Sequence, residues 1–424
     1  MKKLNETNVF RALRSRNFVL YFIGRAVSQF GTWMQRTAVI WVVYTITHSA
    51  FWIGVTIFAE QFPSFLFSFW GGVAADRYDR FKVIQTTQLT SIIQAVLLAI
   101  IVLTGHTSVW AILALSVILG IINAFDVPAR QSLFNEIIAD PADLSNALSL
   151  STATASLAQL LGPALSGIIL AAFGAATCFF VNAASFVGVM VSLALMDRPF
   201  YQSKTSNKKV IRDFAEGLAY IWKTPSIGLI ILMLSIVSLL VLPYNTVLPV
   251  FAKVIFNGNA KTFGYITSFI SAGAVAGTIF LASRKPGTHM RRILFVSTVI
   301  MGVGMIFFSQ FKNFPLAMFF AALTGFGSIA QFTVCNIVVQ SESAPQMRGR
   351  AIGILLMAIF GMMPLGSVIV GAVSERLGAP ATVLAEGVLA IGIALAFIKF
   401  LTKSTTVTVA SGIAVNEPGD TKTS

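Results

Sequence analysis

The sequence predicts an all-α membrane protein: twelve transmembrane helices in two parallel six-helix repeats. Three observations predict it. Of the 424 residues, 56% are hydrophobic and only 11% are charged, against roughly 25% charged in an ordinary soluble domain. That balance excludes a soluble globular enzyme, and equally a disordered or nucleic-acid-binding chain. The apolar residues fall in runs long enough to cross a bilayer, which takes about 20 residues each, so twelve spans use roughly 240. Runs of this length are helices, because a helix satisfies its own backbone groups in lipid without closing a barrel. Finally, small residues recur between the two halves at a constant offset of 204.

The spans cover approximately 17–44, 50–75, 83–104, 108–130, 143–172, 175–196, 226–251, 260–283, 291–309, 314–341, 347–372 and 378–401. The first carries Arg25 and is too long for the apolar core of a signal peptide, so no cleaved leader is expected. The longest internal polar stretch follows the sixth span. The chain therefore divides into an N-terminal bundle (1–196), a linker (197–225), a C-terminal bundle (226–401) and a tail (402–424) expected to be disordered. Within the linker, Val210, Ile211, Phe214, Leu218, Ile221 and Trp222 make an apolar face. Lys208, Lys209, Arg212, Asp213 and Glu216 make the opposite one. This is the pattern of a helix lying on the membrane surface, with a solvated linker as the other reading.

The net charge of +14 reports topology once its charges are placed. Of the 30 Lys and Arg residues, 24 fall at one side of the spans, four at the other (Lys253, Lys261, Lys312, Arg376) and two, Arg25 and Arg36, inside the first span. The positive-inside rule makes the 24-charge side cytoplasmic, with both termini inside.

In the repeat, Ala147, Gly162, Gly167, Gly174 and Ala175 match Ala351, Gly366, Gly371, Gly378 and Ala379, and Pro141 matches Pro345. Six spans are an even number of crossings, so both halves keep one orientation, a parallel repeat about the membrane normal.

The loop after the second span reads Gly71-Gly72-Val73-Ala74-Ala75-Asp76-Arg77-Tyr78-Asp79-Arg80-Phe81-Lys82. The positive-inside rule accounts for Arg77, Arg80 and Lys82 but not for Asp76. Such a mixed cluster can pair with charges and helix ends, and the pairing can break when two halves rock. The stretch resembles the signature of the major facilitator superfamily, Gly-x-x-x-Asp-Arg-x-Gly-Arg, with Asp79 in place of the second glycine. Gly72, Asp76, Arg77 and Arg80 are thereby implied as a cytoplasmic gating loop. The fifth span carries Gly162-Pro163-Ala164-Leu165-Ser166-Gly167. Proline loosens a helix and glycine permits close packing beside it. The stretch resembles the antiporter signature of the superfamily's proton-driven exporters; an ordinary glycine-packed helix is the plainer reading. Asn123-Ala124-Phe125-Asp126-Val127-Pro128-Ala129-Arg130-Gln131 and Leu144-Ser145-Asn146-Ala147 resemble the bacterial branch of siderophore and drug exporters. The resemblance covers about 10–402 and implies a bacterial inner-membrane protein.

Intramembrane charge is costly, so each instance is a functional candidate. Arg25, Gln29, Thr32 and Arg36 share one face of the first helix; Glu60, Ser64 and Ser68 share one face of the second. Asn123, Asp126 and Arg130 line the fourth, and Thr324, Ser328, Gln331 and Cys335 the tenth. By depth, two pairs are expected: Arg25 with Asp126, and Arg36 with Glu60. Glu60 or Asp126 then carries the proton, since burial raises a carboxylate's pKa and a nearby Arg lowers it. A purely structural pairing is the alternative. Glu386, on a span the resemblance makes peripheral, reads as a packing residue. Gln29, Thr32, Tyr244, Asn245, Phe326, Gln331, Phe332 and Met357 are the candidate contacts for a bulky amphipathic substrate, aromatic and Met-rich surfaces being adaptable. Cys178 and Cys335 sit in apolar runs and the three histidines lie apart, so neither a disulfide, a metal site nor a catalytic pair is expected. There is no phosphate-binding glycine loop, so no cofactor is expected and the proton gradient is the expected energy source.

The function that follows is proton-coupled export of a small amphipathic molecule, such as a drug or siderophore, by a monomer in the bilayer. Facilitated or uptake transport, including lysolipid movement, is one alternative. A non-transporting membrane sensor of the same fold is another. A membrane enzyme is the least supported, since no nucleophile–base constellation appears.

Overall fold

In the computed structural model the described residues are 8–138, 140–197, 210–284 and 290–398. The first half holds α1 (Arg16–Thr47), α2 (Ala50–Arg77), α3 (Arg80–Leu103), α4 (Val109–Ile137), α5 (Leu144–Phe173) and α6 (Ala175–Leu195). A helix outside the bundle, α7 (Val210–Lys223), follows. The second half holds α8 (Pro225–Ile255), α9 (Ala260–Ala282), α10 (Met290–Gln310), α11 (Phe314–Glu342), α12 (Arg348–Leu377) and α13 (Ala379–Ala396). Eleven of these are long and apolar enough to cross a membrane by composition. The twelfth, α1, is 32 residues long and is made less apolar by Arg25, Gln29, Gln35 and Arg36. The expected disordered tail and Lys208 and Lys209 lie outside the described residues.

The internal repeat is visible in the element boundaries. Helix α5 starts and ends 204 residues before α12, and both stop at a glycine in the left-handed region, Gly174 (φ 80°) and Gly378 (φ 82°). Only glycine takes that conformation freely, so the same stop recurs at the same place.

Span seven departs from the unbroken helix expected over 226–251. The α-helix ends at Leu240, a 3-10 segment runs over Leu242–Val247, and a π turn follows at Phe251–Ile255. Pro243 and Pro249 remove two backbone donors from the ladder, which breaks the helix there.

Three apolar cores describe how the halves meet. One is shared: it joins Met34–Tyr44 of α1, Ile53 of α2 and Leu170 of α5 to Val247–Ala252 of α8, Phe263 of α9, Phe308 of α10 and Val370 of α12. All of these residues lie at the end of the bundle far from the termini. Toward the termini the core splits. Phe18, Phe81, Leu133 and Leu193 form one cluster in the first half; Ile227, Leu234, Val334 and Leu355 form another in the second. The halves thus close on each other at the far end and stand apart at the near one.

The far-end contact is made by backbone approach. A Cβ on Gly371 would lie 2.6 Å from the Ala50 carbonyl oxygen, and one on Gly167 would lie 2.7 Å from that of Ala260. Trp41 of α1 stacks on Phe263 of α9 at 6.0 Å. The Ser49 hydroxyl donates to Glu375 of α12.

Helix α7 docks on the second half through Ile221, which is buried, and through Glu216, 2.9 Å from Arg350. The Tyr220 hydroxyl accepts from the Ala344 N–H at 3.0 Å. The expected apolar face is thereby divided. Phe214, Leu218 and Trp222 stay exposed along one side, the arrangement of a helix resting on a bilayer surface. The side chains of Val210, Ile211, Arg212 and Asp213 lie outside the described residues.

Candidate transport path and its charged groups

Of the two expected ion pairs, the structure forms one. Arg36 of α1 reaches Glu60 of α2 at 2.8 Å, with Arg36 also lying over the Trp33 ring. The pair sits in the far half of the molecule, partly shielded by the first-half helices.

The other expected pair is not formed. Asp126 is bound by Arg130 of its own helix at 2.5 Å, by the Thr87 hydroxyl at 2.8 Å and by the Gln88 amide at 3.1 Å. Arg25 lies beside this group, lining one small cavity with Tyr21 and Arg130, but makes no ion pair with Asp126. The reason is local geometry: residues four apart on a helix are neighbours, so Arg130 reaches the carboxylate before α1 can. Arg130 is buried, and its Nε and Nη1 have no protein partner. Arg25 and Arg130 thus lie together in the near half of the bundle, and only Arg130 pairs with the carboxylate.

A buried amide chain, absent from the sequence reading, ties the first half together. Asn182 of α6 donates to Gln35 of α1 at 2.8 Å, Gln35 to Gln94 of α3 at 3.0 Å, and Gln94 to the Leu115 carbonyl of α4 at 3.2 Å. Each amide is a costly group in lipid unless bonded, and here each bonds the next. Gln35 and Gln94 are the signal for it in the sequence, Gln35 lying on a different face of α1 from Arg25, Gln29, Thr32 and Arg36.

Asp76 and Arg77, expected in the loop, form the last turn of α2 and are exposed there. Arg80 pairs with Glu136 of α4 and donates to the Ala75 carbonyl at 3.1 Å. Asp79, at the family's second glycine, caps α3 by accepting from the Phe81 N–H at 2.9 Å, so the turn needs no glycine. Gly72 has open space around it. The close approach belongs to its neighbour Gly71, whose missing side chain lets α2 lie against Ala124 and Phe125 of α4. On the near side of the same helix pair, Phe67, Trp70, Arg77, Tyr78 and Phe125 border a groove of about 400 Å³. Nearer the chain start, Arg11 pairs with Asp143, which raises the Arg11 pKa, and the Ala12 N–H donates to Asn146 at 3.0 Å. The start of α5 is thus clasped by the N-terminal segment.

Helix α5 uses its glycines as contact points. Gly162 faces Trp33 of α1, and Pro163 and Gly167 face Gly264 of α9 across the boundary between halves.

The expected substrate contacts divide. Met357 is exposed; Gln29, Thr32, Asn245, Phe326 and Phe332 are half-buried. Thr32 returns its hydroxyl to the Ser28 carbonyl at 2.8 Å, and Phe326 packs on Phe280 with centroids 5.6 Å apart. Tyr244 is buried in the core shared by the two halves, and Gln331 is buried within α11. The packing role read for Glu386 is incomplete: both its oxygens are buried with no protein partner.

The comparisons with known proteins agree with this architecture. The profile of the family described as "Transmembrane secretion effector" matches residues 7–419. The chain is 26% identical over 390 residues to the Staphyloferrin A transporter of Staphylococcus aureus, covering 89% of this chain and 94% of that one. It is 24% identical over 360 residues to the multidrug efflux pump Tap of Mycolicibacterium fortuitum, covering 81% and 86%. The crystal structure of the nucleoside transporter NupG superposes with a TM-score of 0.71 at 16% identity, over 92% of this chain and all of that one. That likeness identifies the fold as the major facilitator fold.

Proposed function

Because the chain belongs to the transmembrane secretion effector family and is a transporter rather than an enzyme, we propose that it exports a small amphipathic molecule, such as a drug or siderophore, by proton-coupled antiport. The observation that carries this reading is the split core: one apolar core joins the halves at the far end, and two separate cores lie at the near end. With the basic end in the cytoplasm, the cleft between the halves opens inward and the far end is the outer gate. Substrate enters from the cytoplasm or the inner leaflet, where the aromatic groove beside Arg77 offers an apolar wall with a cation at its rim. The halves then rock about their contact, the outer seam of α2 on α12 and α5 on α9 parts, and substrate leaves. Among curated relatives, one is named a multidrug efflux pump and another a siderophore transporter, which supports this substrate class.

Protons run inward in exchange. The Arg36–Glu60 pair is one place where a proton can be taken up, since protonating Glu60 removes the attraction that holds α1 to α2 at that depth. A 100 mV potential supplies only ~2.3 kcal/mol per charge, so coupling needs defined carriers. The protein acts as a monomer in a bacterial inner membrane, with both termini cytoplasmic.

The test is ethidium movement in everted vesicles under an imposed proton gradient. Wild type is expected to move dye with the gradient, and Glu60→Gln to lose that dependence. Movement indifferent to the gradient in wild type would sink antiport and leave facilitation.

A further inference from the structure

Glu386 is the one buried carboxyl in the described part of the second half that no protein group holds. It lies on α13 with 3% of its surface exposed, and neither oxygen meets a donor. The other described carboxyls within or beside the spans behave differently. Glu60 has Arg36, Asp126 has Arg130, and Glu342 has Arg291 at 2.7 Å. Every helix packed against α13 is free of charge at its depth. Helix α10 has no charged residue beyond Arg292, and α12 none between Arg350 and Glu375. Helix α8 has only Lys253, at its far end. Helix α13 also packs against the 3-10 break of α8, where Tyr244 is the titratable side chain. Tyr244 sits within the 3-10 break of α8, next to Thr246, whose hydroxyl is also buried without a partner.

An ionised carboxylate sealed in apolar surroundings without a donor costs far more than a neutral acid. In the state seen, the carboxyl therefore carries its proton. Packing alone does not ask for a carboxyl here, since α13 approaches α10 through Gly302 and Gly387, not through this side chain. Its neighbour is the discontinuity of a spanning helix, the kind of place where transporters bind coupling ions. We propose that Glu386 is a proton-binding site of the C-terminal half, and that its loss of a proton is linked to a rearrangement of the α8 break that brings the Tyr244 or Thr246 hydroxyl to the carboxylate. The step is a single acid–base exchange. A carboxylate oxygen takes a proton from water on one side of the membrane, and the O–H later breaks to return it to water on the other. A group neutral in one conformation and charged in another couples proton binding to that change. The role in transport rests on the proton-coupled reading above; the protonation itself does not.

Infrared difference spectroscopy on the purified full-length protein in liposomes tests it, with pH stepped from acid to alkaline. Wild type is expected to show the carbonyl stretch of a buried protonated carboxyl. Glu386→Gln should remove that band and Glu386→Asp should shift it, while Glu60→Gln should leave it in place. Thermal unfolding of each variant checks that it is folded. In the same liposomes, Glu386→Gln is expected to reduce gradient-driven ethidium accumulation at least tenfold while leaving exchange at equal pH on both sides. A band that survives Glu386→Gln, or one removed by sodium at constant pH, overturns the assignment. So does full gradient-driven accumulation in that variant. Loss of gradient dependence in wild type with the band still assigned to Glu386 would instead overturn only the antiport reading.

Discussion

At the scale of single residues, the two ion pairs of the first half differ in what surrounds them. Asp126 and Arg130 are both below a tenth exposed, and two guanidinium nitrogens of Arg130 have no other partner. Removing the carboxylate leaves an uncompensated buried charge, which costs about 3–5 kcal/mol, whereas replacing both members by apolar residues is often neutral. Asp126→Asn is therefore expected to lower the unfolding temperature in detergent clearly, and the double variant Asp126→Leu with Arg130→Leu to recover most of the loss. Equal destabilisation in the single and double variants would mean that the pair is not what holds this site. The Arg36–Glu60 pair is the contrast, with the Arg36 side chain 37% exposed. Glu60→Gln keeps the size of the side chain and is expected to destabilise less than Asp126→Asn, because Arg36 is partly exposed where Arg130 is sealed. The sequence showed both carboxylates and all three arginines, and the stripe at 123, 126 and 130 contained the true partner of Asp126. The partner one turn along α4 is nearer than any group on α1.

Between elements, glycine positions set how closely helices approach. Two adjacent glycines close α2, and only one of them is at a contact. Gly71 lies against the backbone of α4 at Ala124, while Gly72, the residue the family signature marks, has nothing within 4 Å of where a Cβ would be. Overpacking a close contact costs about 1–3 kcal/mol, and a change in open space stays within ~0.5 kcal/mol. Gly71→Ala is expected to be destabilising and Gly72→Ala near neutral, read by the same thermal unfolding. If Gly72→Ala proves the worse of the two, the glycine serves a state of the protein in which α2 has moved. The break in α8 also belongs to this scale. Its two prolines were in view, yet the apolar run around them reads as one continuous span, because hydropathy counts side chains and is blind to a missing backbone donor.

For the whole molecule, the alternation proposed above requires the shared far-end core to open during transport. Ser49 and Glu375 sit hydrogen-bonded across the seam, one from each half. Both native cysteines are buried and free, so they leave introduced thiols to react alone. With Ser49→Cys and Glu375→Cys together, a short bifunctional maleimide is expected to bridge the halves and abolish dye transport, while each single variant treated alike keeps it. Undiminished transport in the bridged protein would show that the far seam does not part, and alternation between halves would have to be abandoned.

Length, run spacing, charge asymmetry and the 204-residue repeat by themselves determined where the spans start and the likeness of the two halves, while some ends moved, the fourth helix running on from 130 to Ile137. Those are properties read along one dimension: twenty apolar residues must be a helix in lipid whatever else they touch. Only the tertiary structure decided which end of the bundle is closed, that Gly71 and not Gly72 meets α4, that Arg130 claims Asp126, and that Glu386 is sealed without a donor. The physical reason is the solvent. In water an amphipathic stripe marks the buried face of a helix, but in a membrane the lipid-facing side is as apolar as the core. Rotation of each helix about its own axis, and so the choice of partner for every polar group, is left to packing.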